Sequence, residues 1–169
     1  MKTLFRLLLA ASIPMALPSG AQTPVQPAPT SFVFEEVATL APALVLGDTA
    51  LGRRQSIPIT GGTFSGSGLS GRIVPGGADN QTVRSDGSVI VDATYMLETD
   101  DHVFIQVHNV GLIVPPRNGS QAYAWATPTF NAPTGRYGWL NDALFISSIG
   151  PAGDKAHPSV RIRIWKVGQ

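Results

Sequence analysis

Apolar and polar residues alternate along most of this chain with a period of two, which is the pattern of β-strands whose two sides meet different surroundings. The clearest case is residues 88–98, where one side of the strand is apolar throughout: Val89, Val91, Ala93, Tyr95 and Leu97. The other side is mixed and holds an internal carboxylate, Asp92. We expect the apolar side to pack on a core and the mixed side to line a partly polar cavity or a subunit contact.

Turn signals divide the chain into eight to ten such strands. Asp86-Gly87, between two extended stretches, predicts a short hairpin, and loops are expected at 47–52 and 115–120. Beyond residue 21, no window of eleven or more residues has helical periodicity, and a single helical turn is expected at 139–142. This pattern indicates a single all-β domain, an antiparallel barrel or sandwich, with little helix.

Residues 57–81 form the most distinctive stretch, because seven glycines fall within the seventeen residues 61–77. Glycine costs the most backbone entropy to order, so such a cluster needs a reason. The two hypotheses are tight bends with close backbone approach in a β structure and a phosphate-binding loop. Residues 66–71 match the dinucleotide pattern G-x-G-x-x-G, but Pro75-Gly76-Gly77 follows where that motif needs a helix. No Gly-Lys-Ser/Thr is present either, so we predict β bends.

The first residues predict export. Lys2 and Arg6 precede the apolar run 7–17, and the small residues Ser19 and Ala21 lie three back and one back from a cut after Ala21. This is the layout of a cleavable signal peptide, 1–21, and it predicts a periplasmic or secreted protein with no stable membrane anchor after processing. The uncharged residues 22–31, with three prolines, are expected to be a linker before a β-barrel domain at 32–169.

Processing changes the net charge. The full chain has 12 Lys and Arg against 11 Asp and Glu, and removal of Lys2 and Arg6 leaves 10 against 11, a net charge of −1. Because no basic cluster is present, we expect no nucleic-acid partner, which would need several phosphate contacts. The absence of cysteine excludes disulfides, thiolate metal sites and a cysteine nucleophile.

Common cofactor and nucleophile motifs are also absent from the sequence. No G-x-S-x-G elbow occurs, which removes an α/β-hydrolase serine. The histidines, His102, His108 and His157, lack the spacing of a local metal site. We therefore expect neither a metal nor a cofactor.

Three ionisable residues, Asp92, His108 and Arg84, are the candidates for catalysis. Asp92 is a lone carboxylate in mid-strand, which is rarely buried unpaired, and its expected partner is Arg84, the nearest arginine in sequence. The pair is either a structural ion pair or a cavity pair that orients a carbonyl or phenol for acid–base chemistry. His108, also in mid-strand, is either a general base or a structural histidine. Asp79 and Glu36 are the other acidic candidates.

The candidate ligand-binding residues are Tyr95, Asp79, Gln81, Tyr137 and Trp139. Asp79 and Gln81 follow the second glycine turn, where an aspartate also commonly caps its own turn. Tyr137 and Trp139 belong to a group of aromatic residues in 123–139. That group is either the apolar wall of a pocket for a flat ligand or ordinary core packing.

At these residues the chain resembles a known family, domain-of-unknown-function family 3237. The resemblance covers nearly all of 32–167 and is carried by Ile57-Pro58-Ile59, Gly61-Gly62-Thr63-Phe64, Pro75-Gly76-Gly77-Ala78-Asp79 with Gln81, Asp92-Ala93-x-Tyr95, Thr99-Asp100-Asp101 and Tyr137-x-Trp139-Leu140-Asn141. It implies a single β-barrel domain, commonly oligomeric, and it does not imply a function.

The chain departs from the family pattern at three positions that bear on a ligand. Asn80 stands where the family usually has tryptophan, and Thr94 and Val110 stand where arginines are frequent. If these positions shape the family's cavity, the ligand here is less anionic than those of the relatives, or an activity has been lost.

Three functions are consistent with these patterns. The first is a cofactor-independent isomerase, cyclase or lyase on a small aromatic or carbonyl-bearing molecule, with Asp92 or His108 moving protons and Arg84 orienting the substrate. Tyr95 and Trp139 would then line the pocket. The second is a lipocalin-like carrier or sensor that leaves its ligand unchanged, and the third is an assembly protein, which a solid barrel would favour. The expected partners are a small molecule and further copies of the chain.

Overall fold

The computed structural model describes residues 26–154 and 156–168. The predicted signal peptide, 1–21, lies outside the described residues, as does the first part of the predicted linker. Residues 26–29 are irregular and exposed, and the first strand begins within that linker, at Thr30.

Nine strands make up almost all of the described chain. They are β1 (Thr30–Leu40), β2 (Leu44–Thr49), β3 (Gly52–Gly66), β4 (Leu69–Val83), β5 (Val89–Thr99), β6 (Phe104–Val114), β7 (Tyr123–Asn131), β8 (Leu144–Pro151) and β9 (Ser159–Val167). A short 3₁₀ helix, Gly138–Asp142, is the only helical segment in the described part, and it lies where a helical turn was expected. No helix in this part is long and apolar enough to cross a membrane.

The strands form one antiparallel sheet that closes on itself. Its order is β1-β9-β8-β7-β6-β5-β4-β3-β2, and a further pairing of β1 with β3 completes an eight-stranded barrel. The ninth strand, β2, pairs with the first part of β3. The prediction of an all-β antiparallel barrel of eight to ten strands is therefore confirmed. The loop expected at 47–52 is shorter than predicted, because β2 continues to Thr49 and β3 starts at Gly52.

Inward and outward residues alternate along the barrel strands. In β5 the predicted apolar side faces inward, with Val91, Ala93, Tyr95 and Leu97 buried. Ala93 pairs with Asn109 of β6, and Tyr95 pairs with Val107. Because directly paired residues share a face of a sheet, the inward residues of β6 are also the odd-numbered ones.

The barrel interior is tightly packed in one half. There Phe34 contacts Phe64 and Phe130 with ring centroids 5.6 and 5.9 Å apart, and Phe130 contacts Phe145 at 4.9 Å. Other buried side chains complete this packed half, namely Ile73, Leu97, Ile105, Leu140 and Ile164. The opposite half, which we call the open half, contains a cavity.

The glycine-rich stretch bends strands β3 and β4, as predicted. The regular register is interrupted between Ile59 and Thr63 in β3 and between Val74 and Ala78 in β4. Gly62, at φ +134°, lies so close to β1 that a Cβ would fall 2.1 Å from the carbonyl oxygen of Val37. Bulges of this kind increase strand bending, which a narrow closed barrel requires. Since bulges replace loops here, β3 and β4 are each 15 residues long.

Replacing Gly77 by alanine should destabilise the barrel by about 1–3 kcal/mol, the usual range for forcing a methyl group into a packed site. A Cβ at this position would lie 2.5 Å from Cβ of Tyr95 and 2.8 Å from the carbonyl oxygen of Thr94. Gly150→Ala is the matched control, because a Cβ there meets nothing within 4 Å, and its effect should stay within about 0.5 kcal/mol. Urea unfolding followed by tryptophan fluorescence measures both. Equal stability of the two variants would contradict the close contact at Gly77.

Candidate active site

The open half of the barrel encloses a cavity of about 100 Å³. Its wall is mainly aliphatic and is formed by Ala38, Leu40, Ile57, Ile59, Val91, Ala93, Ile113, Ile149, Val160 and Ile162. Four polar side chains interrupt this wall, namely Asp79 and Gln81 of β4, Tyr95 of β5 and Asn109 of β6. An apolar cavity with a few convergent polar groups is the usual form of a small-molecule site. The barrel therefore has an internal cavity, whereas the hypothesis of an assembly protein would be favoured by a solid barrel.

Asp79 is held in position through both of its carboxylate oxygens. The backbone N–H of Asp92 donates to Oδ1 at 2.8 Å, and Nε2 of Gln81 donates to Oδ2 at 2.6 Å. Gln81 is fixed in turn by Gln55 of β3, whose Nε2 donates to Oε1 of Gln81 at 2.7 Å. Burial raises the pKa of Asp79 above its ordinary value, and the two donors to its carboxylate offset part of that rise.

A second carboxyl group lies at the boundary between the packed half and the cavity. Glu36 of β1 is fully buried, and its Oε2 is 2.5 Å from the hydroxyl of Tyr95. Its other oxygen, Oε1, has no hydrogen-bond partner among the described residues. Burial raises the pKa of Glu36 to about 7, against a smaller opposing effect of the Tyr95 hydrogen bond. Burial and the nearby Glu36 also raise the pKa of Tyr95 well above its ordinary value.

Asn109 completes the polar part of the wall. Its side chain is buried, and its Oδ1 accepts a hydrogen bond of 3.4 Å from Oγ of Ser147, which is also buried. Sequence reasoning missed Asn109 and Gln55 as site residues. It listed Glu36 only as an acidic candidate, although the alternation Phe34, Glu36, Ala38 places that carboxylate on an otherwise apolar side of β1.

The three predicted catalytic residues, Asp92, His108 and Arg84, lie on the outside of the barrel, and none of them lines the lumenal cavity. Asp92 and His108 face outward because the even-numbered residues of β5 and β6 do so. Oδ1 of Asp92 is 2.7 Å from Nε2 of His108, and both side chains are about half exposed. The partner of Asp92 is thus His108 and not Arg84, which is exposed just after β4. An ion pair with this exposure contributes little to stability.

The predicted ligand-binding residues divide into two groups. Tyr95, Asp79 and Gln81 line the cavity together. Tyr137 is buried near the 3₁₀ helix, where its hydroxyl donates to Oδ1 of Asp101 at 2.8 Å, and Trp139 packs on Phe145 with ring centroids 6.1 Å apart. Neither of these two aromatic residues lines the lumenal cavity: Tyr137 belongs to the core, and Trp139 is 40% exposed.

The three departures from the family pattern also face outward. Asn80, Thr94 and Val110 are all exposed. None of them lines the lumenal cavity, although Val110 lines a concavity on the outer face of the sheet.

A larger concavity of about 660 Å³ lies on the outer face of the sheet. Arg84 is the only charged side chain along it, and the remainder is mostly apolar, including Ile90, Leu112, Tyr123 and Trp125. None of the described residues that line it is an Asp or Glu, whereas Asp79 lines the smaller, lumenal cavity. Among the described residues, no three His, Asp or Glu side chains are grouped closely enough to hold a metal ion.

Fold and cavity together define a small, closed antiparallel β-barrel with an acidic lumen. The chain belongs to the family described as protein of unknown function (DUF3237), which it matches over residues 28–167. This match confirms the resemblance carried by the glycine-rich block.

Relatives of the chain include uncharacterised proteins and an enzyme. A UPF0311 protein of Clostridium acetobutylicum is 34% identical over 130 residues, 67% of this chain and 82% of the relative. The crystal structure of a conserved protein of unknown function from Rhodopseudomonas palustris matches with a TM-score of 0.76 at 30% identity, covering 85% of this chain and 99% of the other. The hydroalkoxylation enzyme phnH of Penicillium herquei is 27% identical over 111 residues, 66% of this chain and 67% of the enzyme.

Glu36 should make the stability of the barrel depend on pH. A carboxyl group whose pKa rises from 4.5 to about 7 on folding binds more protons in the folded state between these values, so the free energy of unfolding falls as pH rises through this window. At about 1.4 kcal/mol per pH unit, the free energy of unfolding falls by about 3 kcal/mol between pH 4.5 and about 7. Glu36→Gln should remove the part of this dependence that Glu36 causes and leave the part due to Asp79, whose pKa is also raised.

The matched control is Glu35→Gln, because the neighbouring Glu35 faces outward and pairs with Arg161 and Arg163. Urea unfolding at pH 4.5, 6 and 8 compares wild type with both variants. Glu35→Gln should keep the decrease in the free energy of unfolding that wild type shows between these pH values. An equal decrease in Glu36→Gln would show that a group other than Glu36 causes it.

Proposed function

We propose that this protein is a cofactor-independent acid–base enzyme, a cyclase or lyase that adds an O–H group across the C=C bond of a small carbonyl-bearing molecule, or reverses that addition. The observation that carries the proposal is the presence of two carboxyl groups in different environments at one cavity. Asp79 faces the cavity directly, and Glu36 lies behind Tyr95. When the surroundings of two titratable groups shift their pKa values differently, one group can be assigned as general base and the other as general acid.

Asp79 is the proposed general base. Its two hydrogen-bond donors, Gln81 and the backbone of Asp92, favour the ionised form and fix the orientation of the carboxylate. Burial works in the opposite direction and raises the pKa towards neutrality, which increases the basicity of the carboxylate. A carboxylate that is fixed by hydrogen bonds and partly desolvated can take a proton from a substrate hydroxyl.

Tyr95 and Glu36 together are the proposed general acid. A phenol alone, with a pKa well above 10, is a weak proton donor. In the structure the Tyr95 hydroxyl donates to Oε2 of Glu36 at 2.5 Å. In the proposed acid form this hydrogen bond reverses: a neutral Glu36 donates its own proton to the Tyr95 oxygen, and this frees the phenolic proton for the cavity. With a pKa of about 7, Glu36 is present in both protonation states near neutral pH.

The proposed reaction balances without an oxidant, a reductant or a cofactor. The substrate hydroxyl gives its proton to Asp79 while its oxygen forms a C–O bond to one carbon of the C=C bond. The electron pair of that double bond moves toward the carbonyl and takes up a proton from Tyr95, which Glu36 replaces. Transfer of the proton from Asp79 back to Glu36 restores both groups.

The relative from Penicillium herquei supports this class of reaction, because a hydroalkoxylation enzyme adds an alcohol O–H across a double bond. The proposed addition requires only a general base and a general acid within one cavity. The outer pair, Asp92 and His108, takes no part in the proposed step.

Asp79→Asn should lower kcat/KM by about 10²- to 10⁴-fold, the usual contribution of a general base. The probe is a linear hydroxy-enone whose hydroxyl can close a five-membered ether ring, with product measured by gas chromatography. Asp142→Asn, the same exchange at an exposed aspartate of the 3₁₀ helix, is the matched control and should retain full activity.

Two results would contradict the proposal. A larger loss in Asp92→Asn than in Asp79→Asn would move the chemistry to the outer face of the sheet. Recovery of unchanged hydroxy-enone from wild-type protein that binds it would favour the lipocalin-like carrier.

A further inference from the structure

We infer that the lumen selects uncharged, hydroxyl-bearing molecules with a compact apolar body and excludes carboxylates and other anions. This inference rests on the cavity of the proposed function. It concerns which molecules enter that cavity, and it can be tested without turnover.

The charges around the cavity are all negative. Of the described residues that line it, none is Lys, Arg or His, and the ionisable ones are Asp79 and Tyr95. Arg53 shares the inward side of β3 with Gln55 but is exposed and does not line the cavity. Burying an anion without a paired cation carries a large desolvation penalty. An anionic ligand here would also meet the Asp79 carboxylate and, behind Tyr95, the Glu36 carboxyl group.

Cations elsewhere on the lining strands do not relieve this charge. In β9, Ile162 faces the cavity, while Arg161 and Arg163 contact Glu35 on the outer side. Across the sheet, the imidazole of His108 lies outside beside Asp92. The barrel wall therefore separates Arg161, Arg163 and His108 from a ligand in the lumen.

The hydrogen-bonding groups around Asp79 favour a ligand that donates. Gln81 uses its amide N–H toward Asp79 and its carbonyl oxygen toward Gln55. The carboxylate of Asp79 keeps acceptor capacity beyond its two donors, because two carboxylate oxygens offer about four lone-pair sites. A ligand hydroxyl can therefore satisfy Asp79 directly, whereas a carboxylate ligand brings only further acceptors.

The volume limits the part of the ligand that enters. The cavity of about 100 Å³ is smaller than the engineered cavity of about 150 Å³ that holds benzene. Its aliphatic wall suits an apolar body, and a compact one of about five ring atoms fits better than a fused aromatic ring.

The test compares cyclopentanol with cyclopentanecarboxylate, two probes with the same apolar ring, by saturation-transfer NMR titration at pH 8. Wild-type protein should bind the alcohol at least about 10-fold more tightly than the carboxylate. Asp79→Asn should weaken alcohol binding and reduce the discrimination, while Asp142→Asn should leave both unchanged. Near-UV circular dichroism of each variant checks that the barrel is folded.

Equal or tighter binding of the carboxylate would overturn the inference, as would failure of wild-type protein to bind the alcohol. If alcohol is selected but the hydroxy-enone is never converted, the selectivity stands and the proposed catalysis fails. If the hydroxy-enone is converted while both probes bind equally, the catalysis stands and the selectivity fails.

Discussion

The contact between Glu36 and Tyr95 is the constraint on which the interior of this barrel depends. A carboxyl group buried in an apolar interior is tolerated only when it is neutral or hydrogen-bonded. Here one oxygen meets the Tyr95 hydroxyl, and the other has no partner within the described residues. The pair marks the level at which aromatic packing stops and the cavity begins. Replacement of either partner by an apolar residue would leave a polar group unpaired in the interior, and that penalty ties the proposed chemistry to the stability of the fold.

The glycine-rich strands hold this pair and the neighbouring Asp79 in place. Gly77 brings β4 against the Tyr95 backbone, and Asp79 follows two residues later on the inward side of the same strand. Gly62 allows the same close approach between β3 and β1, the strand that carries Glu36. The residues that identify the family are thus largely those that permit close approach of strands, while the proposed proton-transfer groups lie beside them. The glycine signature and the proposed chemistry therefore fall in the same part of the chain.

The placement of charge separates the lumen from the outer face. The salt bridges of Glu35 with Arg161 and Arg163 lie outside, where water screens them, and so does the contact of Asp92 with His108. The lumen holds carboxyl groups without described cations beside them, so their protonation responds to burial. This asymmetry underlies both the proposed acid–base function and the inferred preference for neutral molecules. Neither depends on the larger apolar concavity on the outer face.

The sequence alone determined the all-β class, the family, the positions of the glycine bends and the inward side of β5, because each follows from local periodicity or a contiguous motif. It also brought Tyr95, Asp79 and Gln81 into one candidate site. The partner of Glu36 was decided only by tertiary structure. The alternation Phe34, Glu36, Ala38 places this carboxylate on an apolar side of β1, but the register of β1 against β9 and β3 is what brings it to Tyr95, 59 residues away. Barrel closure is a non-local event, and a period of two identifies the apolar side of a strand without saying which residue of a distant strand will face it.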